Sequence, residues 1–154
     1  MSEDEAAGGF TSVAVIYLAG LVGGAAINFV IPLLVLPGIW VRLVGLVPLV
    51  LGACLFAWAR ATFRRQGTAL MPWKPSSELV RDGPFGFSRN PIYLSFSLIY
   101  LAAALIFDSV YILVMLVVAV VLFDRTQIPR EERYLQERFG GEFSEYRTRV
   151  RRWI

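Results

Sequence analysis

The chain contains no histidine and a single cysteine, Cys54. The commonest metal ligand and the usual near-neutral general base are therefore missing, and one thiol makes neither an internal disulfide nor a thiolate zinc site. Chemistry here must run without imidazole, and no metal site is expected. No G-x-G-x-x-G follows a predicted strand, so a soluble Rossmann-type nucleotide site is not expected. Charge is sparse as well: 18% of residues are charged and the net charge is only +3. The basic residues do not line a groove interleaved with exposed aromatics, which argues against nucleic acid as a partner. The first residues carry Glu3, Asp4 and Glu5, not the positive n-region of a secretory signal.

Apolar residues are abundant. They make up 56% of the 154 residues, with a mean hydropathy of +0.60, where a soluble domain holds about 45–50%. The expected fold is all-α: one integral membrane domain, 1–154, with about four spans at 11–36, 39–59, 92–107 and 110–123. Stretch 11–36 carries no charge and at about 1.5 Å per residue exceeds a hydrocarbon core of about 30 Å. Gly20 and Gly24 within it form a small-xxx-small pair that lets a neighbouring helix approach and permits a homodimer; scattered membrane glycines give the same pattern. Pro37-Gly38 make a turn, Arg42 snorkels, and Pro48 is expected to kink the second helix. Arg60, Arg64 and Arg65 close that span on the cytoplasmic side, which places both termini in the cytoplasm. Stretches 92–107 and 110–123 are short for spans and form a hairpin about Asp108-Ser109. Asp108 is either its turn residue or an intramembrane carboxylate, the turn being the cheaper reading.

Two polar segments stand apart. Residues 78–93, ELVRDGPFGFSRNPIY, are punctuated by Gly83, Pro84, Gly86 and Pro91, which argues for a defined non-helical loop. Such backbone beside a bilayer must be covered by protein or line a cavity. The proline-rich piece Met71-Pro72-Trp73-Lys74-Pro75 precedes it. Segment 124–154 holds eight basic and six acidic residues. Within it Leu135, Phe139, Phe143, Tyr146, Val150 and Trp153 recur at spacings of three and four, an apolar stripe bent at Gly140-Gly141. The stripe either lies on the membrane or docks over the 78–93 loop and closes a site, with site segments 77–93 and 124–154.

The blocks LVRDGPFGFSRNPIYLS and, after the hairpin, EERYLQERFGGEFSEYRTRVRRWI resemble the isoprenylcysteine carboxyl methyltransferase family and its bacterial relatives. That family's pattern is approximately G-P-Y-x-x-x-R-H/N-P-x-Y, then E-E-x-x-L-x-x-x-F-G-x-x-Y-x-x-Y. Phospholipid methyltransferases and some membrane sterol reductases are similar in the same blocks. The resemblance implies an integral membrane enzyme that uses S-adenosylmethionine. It implies a cofactor site at Ser77, Glu78, Leu79, Val80, Phe85, Asn90, Pro91, Ile92, Tyr93 and Glu131. Phe85 stands where the family usually has tyrosine, and Asn90 where histidine is common. The family's substrate-binding arginine aligns with Gln127, leaving Arg125 and Arg130 as candidates for the acceptor, or else as interface anchors.

The methyl donor bears a sulfonium and an ammonium, so a carboxylate such as Glu131 or Glu132 would hold the ammonium by a charge-assisted hydrogen bond. Helical neighbours diverge by about 100°, and Glu131 shares the face of Leu135, which favours Glu131; on a solvated charged helix both would instead pair with Arg130, Arg133 or Arg138. In direct displacement at the methyl carbon the protein positions the reactants and excludes water. A carboxylate acceptor is already ionised near neutral pH and needs no general base. The expected function is methyl transfer to a lipid-like or prenylated acceptor that enters laterally from the bilayer, nearest to isoprenylcysteine carboxyl O-methylation. Phospholipid N-methylation, an NADPH-dependent reductase and a non-catalytic membrane scaffold are the alternatives.

Overall fold

The computed structural model describes residues 3–34, 38–65 and 79–154, with side chains from residue 15 onward. Among them every regular element is helical: α1 (Glu3–Val30), α2 (Ile39–Val44), α3 (Leu46–Arg65), a 3-10 turn (Gly83–Gly86), α4 (Pro91–Ile106), α5 (Val110–Arg125), α6 (Gln127–Phe139) and α7 (Gly141–Arg149). Two helical stretches, Ile39–Arg65 and Val110–Phe139, each with one interruption, are long and apolar enough to cross a membrane, while Val15–Val30 and Pro91–Ile106 are shorter apolar helices.

The first expected span needs correction. Helix α1 ends at Val30 and not at residue 36, because Pro32 has no amide for the ladder and biases Ile31 away from helical backbone. The last turn closes through the Ile31 amide on the Ile27 carbonyl at 2.8 Å. Pro37 lies outside the described residues. The second span is interrupted where proline chemistry requires: the Pro48 ring would meet the carbonyl of Val44, and the helix breaks at Gly45 before resuming at Leu46.

The bundle is ordered α1 on α5, α5 on α4, α4 on α3. Its core joins Tyr17, Tyr100, Ile112, Leu116 and Phe123, with the Tyr17 ring 4.9 Å from Phe123 and 5.6 Å from Tyr100. The close approach that Gly20 and Gly24 permit is made within the chain. A Cβ on Gly20 would fall 2.7 Å from the Tyr100 hydroxyl and one on Gly24 3.1 Å from the Ile112 amide, whereas Gly23 faces open space. The outward faces keep Leu18, Val22, Val50, Leu51, Val117 and Val121 exposed. An apolar girdle of this kind is unfavourable in water and suits lipid contact.

The turn at Asp108-Ser109 is observed. Asp108 takes the left-handed conformation, φ 50°, which aspartate tolerates better than most residues. It is also buried. The Ser109 side chain caps α5 by accepting from the Ile112 amide at 3.3 Å.

Candidate functional site

The described part of the loop, 79–93, is held in place from below and from above. Below, Gly83 at φ 60° leaves room that a Cβ would take from Thr62 Oγ1, 2.7 Å away, and from Trp58 Nε1. Phe85 packs edge-on against Phe63 with centroids 5.0 Å apart, in a cluster with Ala59, Val80 and Ile92. Above, Phe143, Tyr146 and Val150 form a cluster with Leu79, Leu135 and Phe139, and the buried Tyr146 hydroxyl donates to the Phe85 carbonyl at 2.8 Å. The stripe therefore docks on the loop, and the chain bends at Gly140, φ 52°. Trp153 leaves the stripe and donates its indole N–H to Asp124 Oδ1 at 3.0 Å.

Docking brings Tyr93 and Glu131 together. Pro91 occupies the first turn of α4, where its missing amide costs nothing, and Tyr93 follows on that turn. Its hydroxyl donates to Glu131 Oε1 at 2.6 Å, and Gln127 Nε2 donates to the same oxygen at 3.3 Å. Glu131 lies on α6, beyond the apolar stretch that ends at Phe123. Burial is the main influence on its carboxyl and raises its pKa above the ordinary 4.5; the two hydrogen bonds oppose the shift and neighbouring Glu132 adds to it. The result is a half-buried acid whose described hydrogen-bond donors are both neutral, and such a charge is better held once a cation meets it.

The other expected residues are distributed as follows. Leu79 lies on the docked stripe; Val80, Phe85 and Ile92 lie in the cluster against α3. Asn90 is buried, and its amide donates to the Arg152 carbonyl at 3.0 Å. Ser77, Glu78 and the 71–75 piece lie outside the described residues. Arg125 and Arg130 are exposed, and neither forms an ion pair among the described residues. An open hollow of about 260 Å³ lies between the loop and α7, lined by Arg81, Gly86, Glu145, Tyr146, Arg149 and Val150; Tyr93 and Glu131 do not border it.

One set of residues escaped the sequence reading. Glu132, the neighbour left aside in favour of Glu131, accepts from Arg89 Nη2 at 2.8 Å and from Arg152 Nη2 at 2.7 Å, and Arg152 Nη1 also reaches Asp124 Oδ1 at 3.2 Å. Arg89 stands inside the R-N-P-x-Y block, a signal available in the sequence. For Arg152 no spacing pointed to the contact.

The sequence model described as phospholipid methyltransferase matches residues 40–142, from α2 to the start of α7. Over 132 residues, 82% of this chain and 67% of the relative, the sequence is 26% identical to protein-S-isoprenylcysteine O-methyltransferase B of Arabidopsis thaliana. Over 63 residues, 41% of this chain and the whole of the relative, it is 36% identical to an uncharacterized protein of Haemophilus influenzae. No solved structure matches. The resemblance to the isoprenylcysteine-type methyltransferases is thus borne out, with the match running through the helices that carry Tyr93 and Glu131: the chain belongs to the phospholipid methyltransferase family.

Proposed function

We propose that the protein is a multi-pass membrane methyltransferase, one domain over 1–154 with about four spans and both termini cytoplasmic. It uses S-adenosylmethionine to methylate an amphiphilic acceptor that enters laterally from the bilayer. Isoprenylcysteine carboxylate is the nearest acceptor class, in keeping with the Arabidopsis relative. The observation that carries this reading is the Tyr93–Glu131 hydrogen bond, which unites the two family blocks across the intervening hairpin.

The donor set suits the cofactor. Glu131 offers a half-buried carboxylate already aligned by Tyr93 and Gln127, and an ammonium would supply the charge it lacks. When bound, S-adenosylmethionine supplies an electrophilic methyl on a positively charged sulfur. Tyr93 fixes the rotamer of Glu131, and the docked stripe, against which Leu79 packs, would shield a bound cofactor from water. Positioning and dehydration account for the protein's share of the rate.

A second reading, methylation of a phospholipid amine, is favoured by a specific observation. Arg89 and Arg152 are engaged with Glu132, and Arg152 with Asp124 as well, while Gln127 stands where an acceptor-binding arginine was expected. Recognition of an acceptor carboxylate would therefore fall to Arg125 or Arg130, which form no ion pair among the described residues, whereas an amine acceptor needs neither of them. The deciding experiment supplies the purified protein with methyl-labelled S-adenosylmethionine and either a farnesylcysteine analogue or aminophospholipid vesicles. Base-labile label on the first acceptor supports O-methylation and stable label on the second supports N-methylation. Absence of cofactor binding by calorimetry overturns both.

A further inference from the structure

We propose that Arg152, acting through Glu132, is a positioning residue for the Tyr93–Glu131 site, an inference that rests on the methyltransferase reading above. Glu131 and Glu132 are adjacent on α6 and point about 100° apart, so one serves the site while the other serves a separate anchor. That anchor is nearly buried: the Glu132 side chain is 13% exposed and that of Arg89 10%. Both carboxylate oxygens of Glu132 are taken, Oε1 by Arg89 Nη2 at 2.8 Å and Arg152 Nε at 3.2 Å, Oε2 by Arg152 Nη2 at 2.7 Å. The remaining arm of the Arg152 guanidinium meets Asp124 Oδ1 at 3.2 Å, at the end of α5. One planar group thus spans two helices, a task suited to the arginine fork.

The backbone around Arg152 extends the link to the loop. The Arg89 amide donates to the Arg151 carbonyl at 3.0 Å and the Asn90 side chain to the Arg152 carbonyl at 3.0 Å. Residues 151–153 therefore strap together the entry to α4, the end of α5 and the middle of α6. These are the elements whose relative rotation sets the distance between Tyr93 and Glu131. Turning α6 by ~20° moves a carboxylate at the ~5–6 Å helix radius by roughly 2 Å, enough to break a 2.6 Å hydrogen bond. Docking itself has another source, the apolar cluster of Phe143, Tyr146 and Val150. Buried ion pairs add little net stability but can fix register, and register is the property the site requires.

The test titrates S-adenosylhomocysteine by calorimetry into the full-length protein and its variants. Arg152→Ala is expected to weaken binding about 10- to 100-fold, the range seen when a residue that orients a metal ligand is lost. Arg152→Lys, which keeps the charge but not the fork, is expected to recover only part of the loss. In a Glu131→Gln background the Arg152→Ala change is expected to cost little more, because its effect passes through Glu131. Unchanged affinity in Arg152→Ala, or the same loss in both backgrounds, overturns the proposal. Should Arg152→Ala fail to fold, Glu132→Gln removes the anchoring charge with little change of shape and takes its place in the cycle. A readout that needs no ligand accompanies the titration: in a Cys54→Ser protein, a short bis-maleimide links Tyr93→Cys to Glu131→Cys, and adding Arg152→Ala is expected to slow the reaction. A wild-type protein that does not bind the nucleoside removes the methyltransferase reading, and the cross-linking rate alone then upholds or overturns the strap.

Discussion

The Tyr93 hydroxyl donates to Glu131 Oε1 at 2.6 Å across 38 positions of sequence. The contact pairs the first turn of one helix with the first turns of another, and both lie within the family match. Glu131→Gln keeps the shape and an acceptor oxygen but removes the charge that would hold an ammonium. Affinity for S-adenosylmethionine is expected to fall about 10- to 100-fold, from loss of a charge-assisted bond of about 1.5–3 kcal/mol. Folding stability is expected to hold or rise, since a half-buried charge without a cationic partner is removed. Calorimetry and a thermal melt on the same sample check both; equal affinity in mutant and wild type refutes the assignment.

The acidity of Glu131 gives a pH prediction with opposite signs for stability and binding. Burial raises its pKa above 4.5, so the folded state holds this proton more tightly than the unfolded state does. Its contribution to stability is full below the ordinary value and is lost as pH rises through the raised one. Binding of a cation needs the ionised form and is lost as pH falls through the same raised value. Titrating affinity against pH should show an acid limb with a midpoint above 4.5, and Glu131→Gln should abolish that limb.

Gly83 holds the loop against α3, and its replacement tests whether the loop must stay there. At φ 60° a side chain is strained, and the new Cβ would fall 2.7 Å from Thr62 Oγ1. Gly83→Ala is expected to cost about 1–3 kcal/mol from backbone strain and overpacking, read as a lower melting temperature. Cofactor affinity should fall with it, because Phe85 and Tyr146 are joined through the same turn.

Much of this arrangement was legible in the sequence, for reasons that particular residues make plain. Proline and glycine act locally, so the 78–93 loop, the break ahead of Pro48 and the bend at Gly140 could be read from the chain itself. The stripe from Leu135 to Val150 was legible because helical periodicity is a local property, whereas its spacing alone leaves open whether it meets the membrane or the loop, a choice the tertiary packing makes. The absence of charge runs through residue 36, but the end of α1 at Val30 is set by Pro32, a local signal of a different kind. The anchoring of Glu132 was not legible, since which of two adjacent glutamates meets Arg152 depends on how α6 is rotated against segments far away in sequence. The positions of Phe85 and Asn90 show the same limit. They lie in the expected loop, yet one packs against α3 and the other bonds the Arg152 carbonyl, contacts fixed by tertiary packing.

The packing of α1 on α4 supplies the last prediction. The Tyr100 hydroxyl is buried and has no hydrogen-bond partner among the described residues, and a Cβ on Gly20 would fall 2.7 Å from it. Gly20→Ala alone is expected to displace the ring and destabilise the bundle by about 1–3 kcal/mol. Tyr100→Phe alone is expected to raise the melting temperature, because it removes a buried polar group that is left unsatisfied. With the oxygen gone, the nearest remaining ring atom is Cζ at 3.8 Å and the nearest other atom is the Met115 Cβ at 3.4 Å, both ordinary contact distances. The double variant should therefore regain most of what Gly20→Ala loses, helped by the higher helix propensity of alanine, worth up to about 1 kcal/mol over glycine. Melts of the four proteins in one detergent form a double-mutant cycle. Additive effects would mean that α1 does not sit against Tyr100, whereas a coupling of about 1 kcal/mol or more places Gly20 beneath that hydroxyl.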